Sequence, residues 1–178
     1  MKKRVLAAVL CLALVFAALP TAVLAAGEGT TCDGTTCAHE AAVNGLHYDT
    51  LRYAINAASD GERVLLLKNA TVYSSLGAIS IEKNVTIDLN GHTITGSVTR
   101  VFHVKNGTLT LTGNGTVTTI NHSNAGQSVI RVGDDAVKGS PVLIIDSGVT
   151  IEAPCTYGVS AFGEATDPET VIVYGKII

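Results

Sequence analysis

From Gly61 onward, short runs of alternating apolar and polar residues are interrupted by turns containing glycine. Three runs are alike: Val85-Thr-Ile-Asp-Leu-Asn-Gly91, Leu109-Thr-Leu-Thr-Gly-Asn-Gly115 and Val142-Leu-Ile-Ile-Asp-Ser-Gly148. In each, a glycine falls six residues after the first apolar position. Val64–Leu67 and Val171–Val173 fit the same role more loosely, and successive starts are 21, 24, 33 and 29 residues apart. Two further short strands follow in each step, for example Thr93–Thr95 with Val101–Val104, and Thr116–Thr118 with Val129–Val132. Alternation over a few residues marks half-buried strands, and a unit recurring every 20–50 residues marks a repeat architecture. The predicted fold is all-β: a right-handed, single-stranded parallel β-helix with three strands per coil. An antiparallel sandwich is the alternative, but it does not require the fixed spacing from apolar residue to glycine.

In this reading Val85, Ile87, Leu109, Leu111, Val142 and Ile144 point inward. Thr86, Asp88, Thr110 and Thr112 point outward, where threonine suits a pleated surface. Asn90 and Asn114 stack at one corner, placed to satisfy the turn backbone. Leu143, Ile145, Ile172 and Tyr174 then fall outward, an apolar patch that calls for cover by a following domain or another chain. Before the repeats, Leu51, Ala54, Ile55 and Ala58 share one helical face, and Asp49-Thr50 offers an N-cap. This short helix is expected to cap the first coil, because an open solenoid end exposes core and unpaired strand edges. It is also expected to cover Leu65 and Leu67. The predicted organisation is a signal peptide at 1–25, an N-terminal loop at 26–46, a capping helix at 47–61 and a β-helix of four to five coils at 62–178. The chain stops inside a strand, so a fragment, or a partner chain over the open end, is expected.

Composition agrees with a turn-rich β protein: 18 glycines, no tryptophan and 47% apolar residues in 178. Charged residues are 15%, against an ordinary value of about 25%. Disorder and a basic nucleic-acid binder are excluded on these grounds. Lys2, Lys3 and Arg4, the apolar run Val5–Leu19 and the small residues around Val23-Leu24-Ala25 read as an export signal. Removing its three cations leaves 9 Lys+Arg against 15 Asp+Glu, a net charge of −6. The mature chain is therefore expected outside the cell, not embedded in a membrane, and without polyanions as main ligands.

Three cysteines follow the signal. Cys32-Asp-Gly-Thr-Thr-Cys37 has a glycine at its turn, and in an oxidising compartment a local disulfide is expected. With His39 added, the pair is alternatively a metal site that needs a fourth ligand from elsewhere. Cys155 reads as a small buried filler.

Candidate chemistry in the repeats is sparse. Asp88 is the best outward carboxylate; Thr112 and then Ile145 follow it in its column, so it reads as a lone solvated acid. His92, His103 and His122 fall in different columns or loops. Arg100 and Arg131 lie near the third strand as a pair suited to an acidic sugar, unless simply solvated. The loops Gly133–Pro141 and Gly163–Thr170 leave one corner in consecutive coils. They gather Asp134, Asp135, Glu164, Asp167 and Glu169, either an acidic rim or hard oxygen ligands for Ca²⁺. No other cofactor is expected. The sequons at Asn69, Asn84, Asn106, Asn114 and Asn121 mostly arise from Asn before Thr-rich strands and carry no weight.

Asp88-Leu-Asn-Gly-His-Thr-Ile94, the repeat spacing and Tyr48-Asp-Thr-Leu51 with Ala54–Gly61 together resemble the N-terminal part of secreted parallel β-helix proteins of the pectin-lyase-like group. They are most similar to large surface proteins of Gram-positive gut bacteria. The resemblance covers about residues 32–178 and implies the fold and a cell-surface setting. That group includes polysaccharide lyases, glycosidases and adhesins, and no catalytic motif of its enzymes is matched here. The expected function is a non-enzymatic stalk or adhesin module with carbohydrate as partner; Tyr73, Tyr157, Phe162 and Tyr174 are the aromatic candidates. One alternative is the N-terminal part of a polysaccharide lyase or glycoside hydrolase with its active site beyond residue 178. A second is a self-associating wall protein.

Overall fold

The computed structural model describes residues 29–32, 37–97, 100–120, 127–134, 139–154, 156–163 and 168–178. The predicted signal peptide, Cys155 and His122 lie outside these residues. The chain forms a β-solenoid of about four turns with parallel strands. A short N-terminal unit comes first: β1 (Ala41–Val43), β2 (Leu46–Tyr48) and the helix α1 (Leu51–Ala57). The first rung is β3 (Glu62–Leu66), β4 (Ala70–Val72) and β5 (Ile79–Ile81). The second is β6 (Val85–Asp88), β7 (Thr93–Gly96) and β8 (Phe102–Val104). The third is β9 (Thr108–Thr112), β10 (Gly115–Thr119) and β11 (Ser128–Val132). The fourth is β12 (Val142–Ile145), β13 (Val149–Glu152) and β14 (Tyr157–Ala161), followed by β15 (Thr170–Val173) and β16 (Lys176–Ile177). Equivalent strands stack into three parallel sheets, β3-β6-β9-β12-β15, β4-β7-β10-β13-β16 and β5-β8-β11-β14.

Stacking places like residues above one another. Val64, Ile87, Leu111 and Ile145 form one buried inward column. Ala70, Ile94, Val117 and Ile151 form a second, and Ile79, Phe102 and Ile130 a third. The three meet in a single apolar core. Burial falls away at the last rung, where Val173 and Ile177 continue two of the columns but are 41% and 43% exposed.

The register corrects the inward and outward assignment of the fourth rung. Leu109 pairs with Leu143, not Val142, and Leu111 pairs with Ile145. Leu143 and Ile145 are therefore fully buried, while Val142 and Ile144 lie half-buried on the outer face. The physical reason is the run Val142-Leu-Ile-Ile145 itself: four consecutive apolar residues carry no alternation, so the pattern cannot choose a phase. Gly148 was a misleading anchor, because it stands beside Asn114 and it is Val149 that pairs with Gly115. The first rung is displaced as well, since Val85 pairs with Glu62 and Val64 with Ile87.

Asparagines at the corners tie rung to rung. Asn90, at a φ of 49°, donates from Nδ2 to the Leu66 carbonyl at 3.0 Å. Asn69 Oδ1 accepts from the Thr93 amide at 2.9 Å, and Asn84 Oδ1 accepts from the Thr108 amide at 3.0 Å. Asn114 follows the same logic through its backbone, its carbonyl accepting from the Gly91 amide. These bonds run to the backbone of the neighbouring rung, and they explain the Asn-rich corners without glycosylation.

The N-terminal unit differs from the expected loop. Asn44 and Gly45 both adopt positive φ, 50° and 80°, and connect β1 to β2 as a two-residue hairpin. Asn-Gly is the strongest short hairpin signal, because both central residues of a type I′ turn need that conformation. β1 then pairs antiparallel with β3 and covers the free edge of the first rung. Leu65 is half-buried and pairs with Ala42 of this hairpin. Helix α1 forms as the pattern predicts. Thr50 Oγ1 accepts from the Tyr53 amide at 3.3 Å, and Leu51, Ala54 and Ile55 are buried.

Glu40 joins hairpin, helix and first rung. Its carboxylate is buried and accepts from the Leu51 amide at 2.9 Å and the Thr71 amide at 3.4 Å. Replacing it with Ala leaves a buried helix amide without an acceptor. Glu40→Ala is expected to lower stability by about 1–3 kcal/mol, and Glu40→Gln by less because an acceptor remains. Urea denaturation of the two variants checks the order; equal midpoints for Glu40→Ala and the unaltered chain would refute the role.

Candidate functional site

Two places bring chemistry-bearing side chains together. The first is the outer face of the sheet β5-β8-β11-β14, where the outward positions Ser80, His103, Arg131 and Ser160 share a column. Arg100 enters this face just before β8 and donates from Nη2 to Gln127 Oε1 at 3.1 Å. The Arg131 guanidinium lies 4.7 Å from the centroid of the Phe162 ring, a cation–π contact. Burial, and next the like charge of Arg131, lower the Arg100 pKa from its ordinary value, while Asp134 opposes the shift. The predicted arginine pair is thus brought together by consecutive rungs.

His103 stands next to Arg131 in the outward column. Its Nε2 is 2.9 Å from the Gly133 carbonyl and 3.5 Å from Asp134 Oδ2. Burial lowers its pKa below the usual 6.5, with nearby arginines adding to the effect and Gly133 and Asp134 opposing it. The neutral ring, donating from Nε2 to Gly133, is the favoured form.

Asp134 therefore faces the His103 ring at 3.5 Å and the Lys105 ammonium, with Nζ at 4.0 Å. Of the other Ca²⁺ candidates, Asp135, Glu164 and Asp167 lie outside the described residues. Asp88 is not the lone solvated acid of the pattern. It is 6% exposed, pairs with Arg63 of the preceding rung, and accepts from the Asn90 amide at 2.9 Å. The cause is rung stacking: Asp88 pairs with Leu65, which sets its carboxylate within reach of Arg63. Ile145 does not continue its column, since it stands over Leu111. His92 sits at the corner before β7, away from His103.

The second place is the N-terminal unit. Cys32, Cys37, His39 and His47 bring one donor atom each to within 4.8 Å of all the others. No disulfide links Cys32 to Cys37 in this structure. His39 Nδ1 is 3.2 Å from Cys32 Sγ and 3.1 Å from Cys37 Sγ. His47 Nδ1 is 3.0 Å from each of the two sulfurs. On its far side, His39 Nε2 meets Asp49 Oδ1 at 3.3 Å and Thr30 Oγ1 at 3.2 Å. Desolvation raises the Cys37 pKa, but hydrogen bonds, first from Cys32 and then from the His39 amide, outweigh it and bring the thiol from 9.0 to about 6.

His47 is the member that sequence reading missed. It lies on β2, and residue 30 bridges antiparallel to it, with the His47 amide donating to the Thr30 carbonyl at 2.6 Å. Recognising the hairpin at Asn44-Gly45 would have shown that its second strand returns His47 towards Cys32 and Cys37.

Comparison with protein-family models, with curated proteins and with solved structures finds no match. Among the described residues, no helix is long and apolar enough to cross a membrane.

Proposed function

We propose that the chain is a non-enzymatic β-helix module of a secreted or cell-surface protein, acting as a stalk or adhesin segment that contacts carbohydrate. The observation that carries this reading is the outer face of the β5-β8-β11-β14 sheet. It presents Arg100, and Arg131 stacked on Phe162, which is 54% exposed. Guanidinium groups bind carboxylates through paired N–H donors, and exposed rings give flat apolar contact. This combination suits a uronate-bearing or otherwise acidic glycan. The stacked rungs supply a stiff support, since each contacts its neighbours through continuous strand ladders. The likeness of its motifs to pectin-lyase-like surface proteins of Gram-positive gut bacteria, and the export-signal pattern at 1–25, support the extracellular setting.

The test is retention of the chain on immobilised acidic and neutral polysaccharides at increasing salt. Saturable, salt-sensitive binding to acidic glycans is expected. Arg100→Ala and Arg131→Ala should each weaken it by about tenfold or more, the scale of one lost charged hydrogen bond. Unchanged affinity in both variants would remove this face from the reading. Release of unsaturated uronides from the same polysaccharides would establish an enzyme instead. Concentration-dependent assembly without glycan binding would establish a self-associating wall protein.

A further inference from the structure

The cluster in the N-terminal unit points to something that the glycan-binding reading neither needs nor uses. We propose that Cys32, Cys37, His39 and His47 form a tetrahedral structural Zn²⁺ site that locks the N-terminal cap of the solenoid.

The argument starts from proton counting. A neutral imidazole has one N–H and one lone pair. His39 Nε2 faces the Asp49 carboxylate at 3.3 Å, an acceptor with no proton of its own. Its proton therefore belongs on Nε2, which leaves only a lone pair at Nδ1. That lone pair meets two sulfurs, at 3.2 and 3.1 Å. One lone pair can accept from at most one S–H, and a sulfur ionised as thiolate offers it no proton. His47 Nδ1 meets the same two sulfurs, at 3.0 Å each. Four donor atoms thus converge in an alternating arrangement of two nitrogens and two sulfurs, with each nitrogen touching both sulfurs. Pairwise hydrogen bonds satisfy this only in part, whereas one cation at the centre satisfies all four.

The dimensions fit zinc. Bonds of about 2.3 Å to sulfur and 2.0–2.1 Å to nitrogen in a tetrahedron set sulfur and nitrogen about 3.5 Å apart. The observed separations of 3.0–3.2 Å need only a small outward adjustment. Two thiolates with two imidazoles form a closed set that favours Zn²⁺ over Ca²⁺ or Mg²⁺, which take oxygen ligands. A metal-bound histidine commonly donates its other N–H to a carboxylate, and Asp49 stands in that place for His39. With all four positions filled by protein, none is left for water or substrate, so the role is structural and not catalytic.

The ligands come from three places: Cys32, two residues after the bridge at Thr30, the stretch Cys37–His39, and β2. An ion joining them holds these segments against the hairpin that covers the free edge of β3. A Cys32–Cys37 disulfide would link only two of the segments and would remove both sulfur ligands.

The test uses the whole chain, isolated with reductant and with zinc present. One Zn²⁺ per chain is expected by elemental analysis. Replacement by Co²⁺ should give the intense visible bands of a tetrahedral site and thiolate-to-cobalt charge transfer. Chelation should lower Tm by on the order of 10 °C, reversed by Zn²⁺. It should also open the stretch from Thr30 to His47 to proteolysis before the rungs. His47→Ala should weaken Co²⁺ binding at least about a hundredfold. His47→Cys keeps four ligands and should retain binding with stronger charge transfer, so a folding defect in His47→Ala does not decide the matter. Absence of stoichiometric metal and of Co²⁺ bands in the reduced chain overturns the proposal. Recovery of a Cys32–Cys37 disulfide from chain secreted in excess zinc also overturns it. Neither result bears on glycan binding by the distant arginine face.

Discussion

Ile145→Ala is expected to lower stability by about 2–5 kcal/mol, whereas Ile144→Ala should cost no more than about 1 kcal/mol. The two residues are adjacent and chemically identical. Ile145 is fully buried in the column Val64, Ile87, Leu111 and Ile145, so truncation leaves a cavity between rungs. Ile144 stands on the outer face over Thr110, where the loss is that of a β-branched residue on a pleated surface. Urea denaturation of both variants measures the difference directly. A larger loss at Ile144 would mean that the fourth rung is shifted by one residue. Every side chain of β12 would then change face, because strand side chains alternate with a period of two.

Gly107→Ala should cost about 2–4 kcal/mol, and Gly91→Ala only about 1 kcal/mol. Both glycines occupy left-handed backbone conformations, with φ of 73° and 81°. The conformational penalty is therefore shared, and the surroundings differ. A Cβ at Gly107 would meet the Lys83 carbonyl carbon at 2.5 Å and its oxygen at 2.7 Å. This contact is backbone against backbone in the preceding rung, so neither side can turn aside. A Cβ at Gly91 meets nothing within 4 Å. Gly107 also accepts from the Val142 amide at 2.9 Å, which puts its corner in contact with the rungs on both sides. Thermal unfolding of the two alanine variants separates rung contact from backbone strain. Equal losses would show that rung spacing at this corner is wide enough for a side chain.

These two predictions mark where local pattern was and was not enough. The parallel β-helix was legible because its rule is local. Alternating runs such as Thr108–Thr112 and Val85–Ile87 show which face is apolar, and recurrence of the runs shows that they stack. Helix α1 was legible for the same reason, since a cap and an apolar stripe lie within nine residues. Arg100 and Arg131 were legible as neighbours near the third strand, but their register was not: Arg131 stands over His103, three residues after Arg100.

What the pattern could not carry was phase, pairing and return of the chain. Val142–Ile145 has no alternation, and only the ladder to β9 selects Leu143 and Ile145 for the interior. Asp88 appears alone along the chain, but stacking one rung on another brings Arg63 to it. Cys32, Cys37 and His39 are close in sequence and suggest a ligand set one short. The missing member, His47, arrives only when the Asn44-Gly45 hairpin folds back and Thr30 bridges to it. The sequence by itself determined the repeat, the strands and the capping helix, because hydrophobic burial acts on each short segment separately. The tertiary structure alone decided the register between rungs and the convergence of the four sulfur and nitrogen donors, because both depend on contacts between residues that the chain's own order keeps apart.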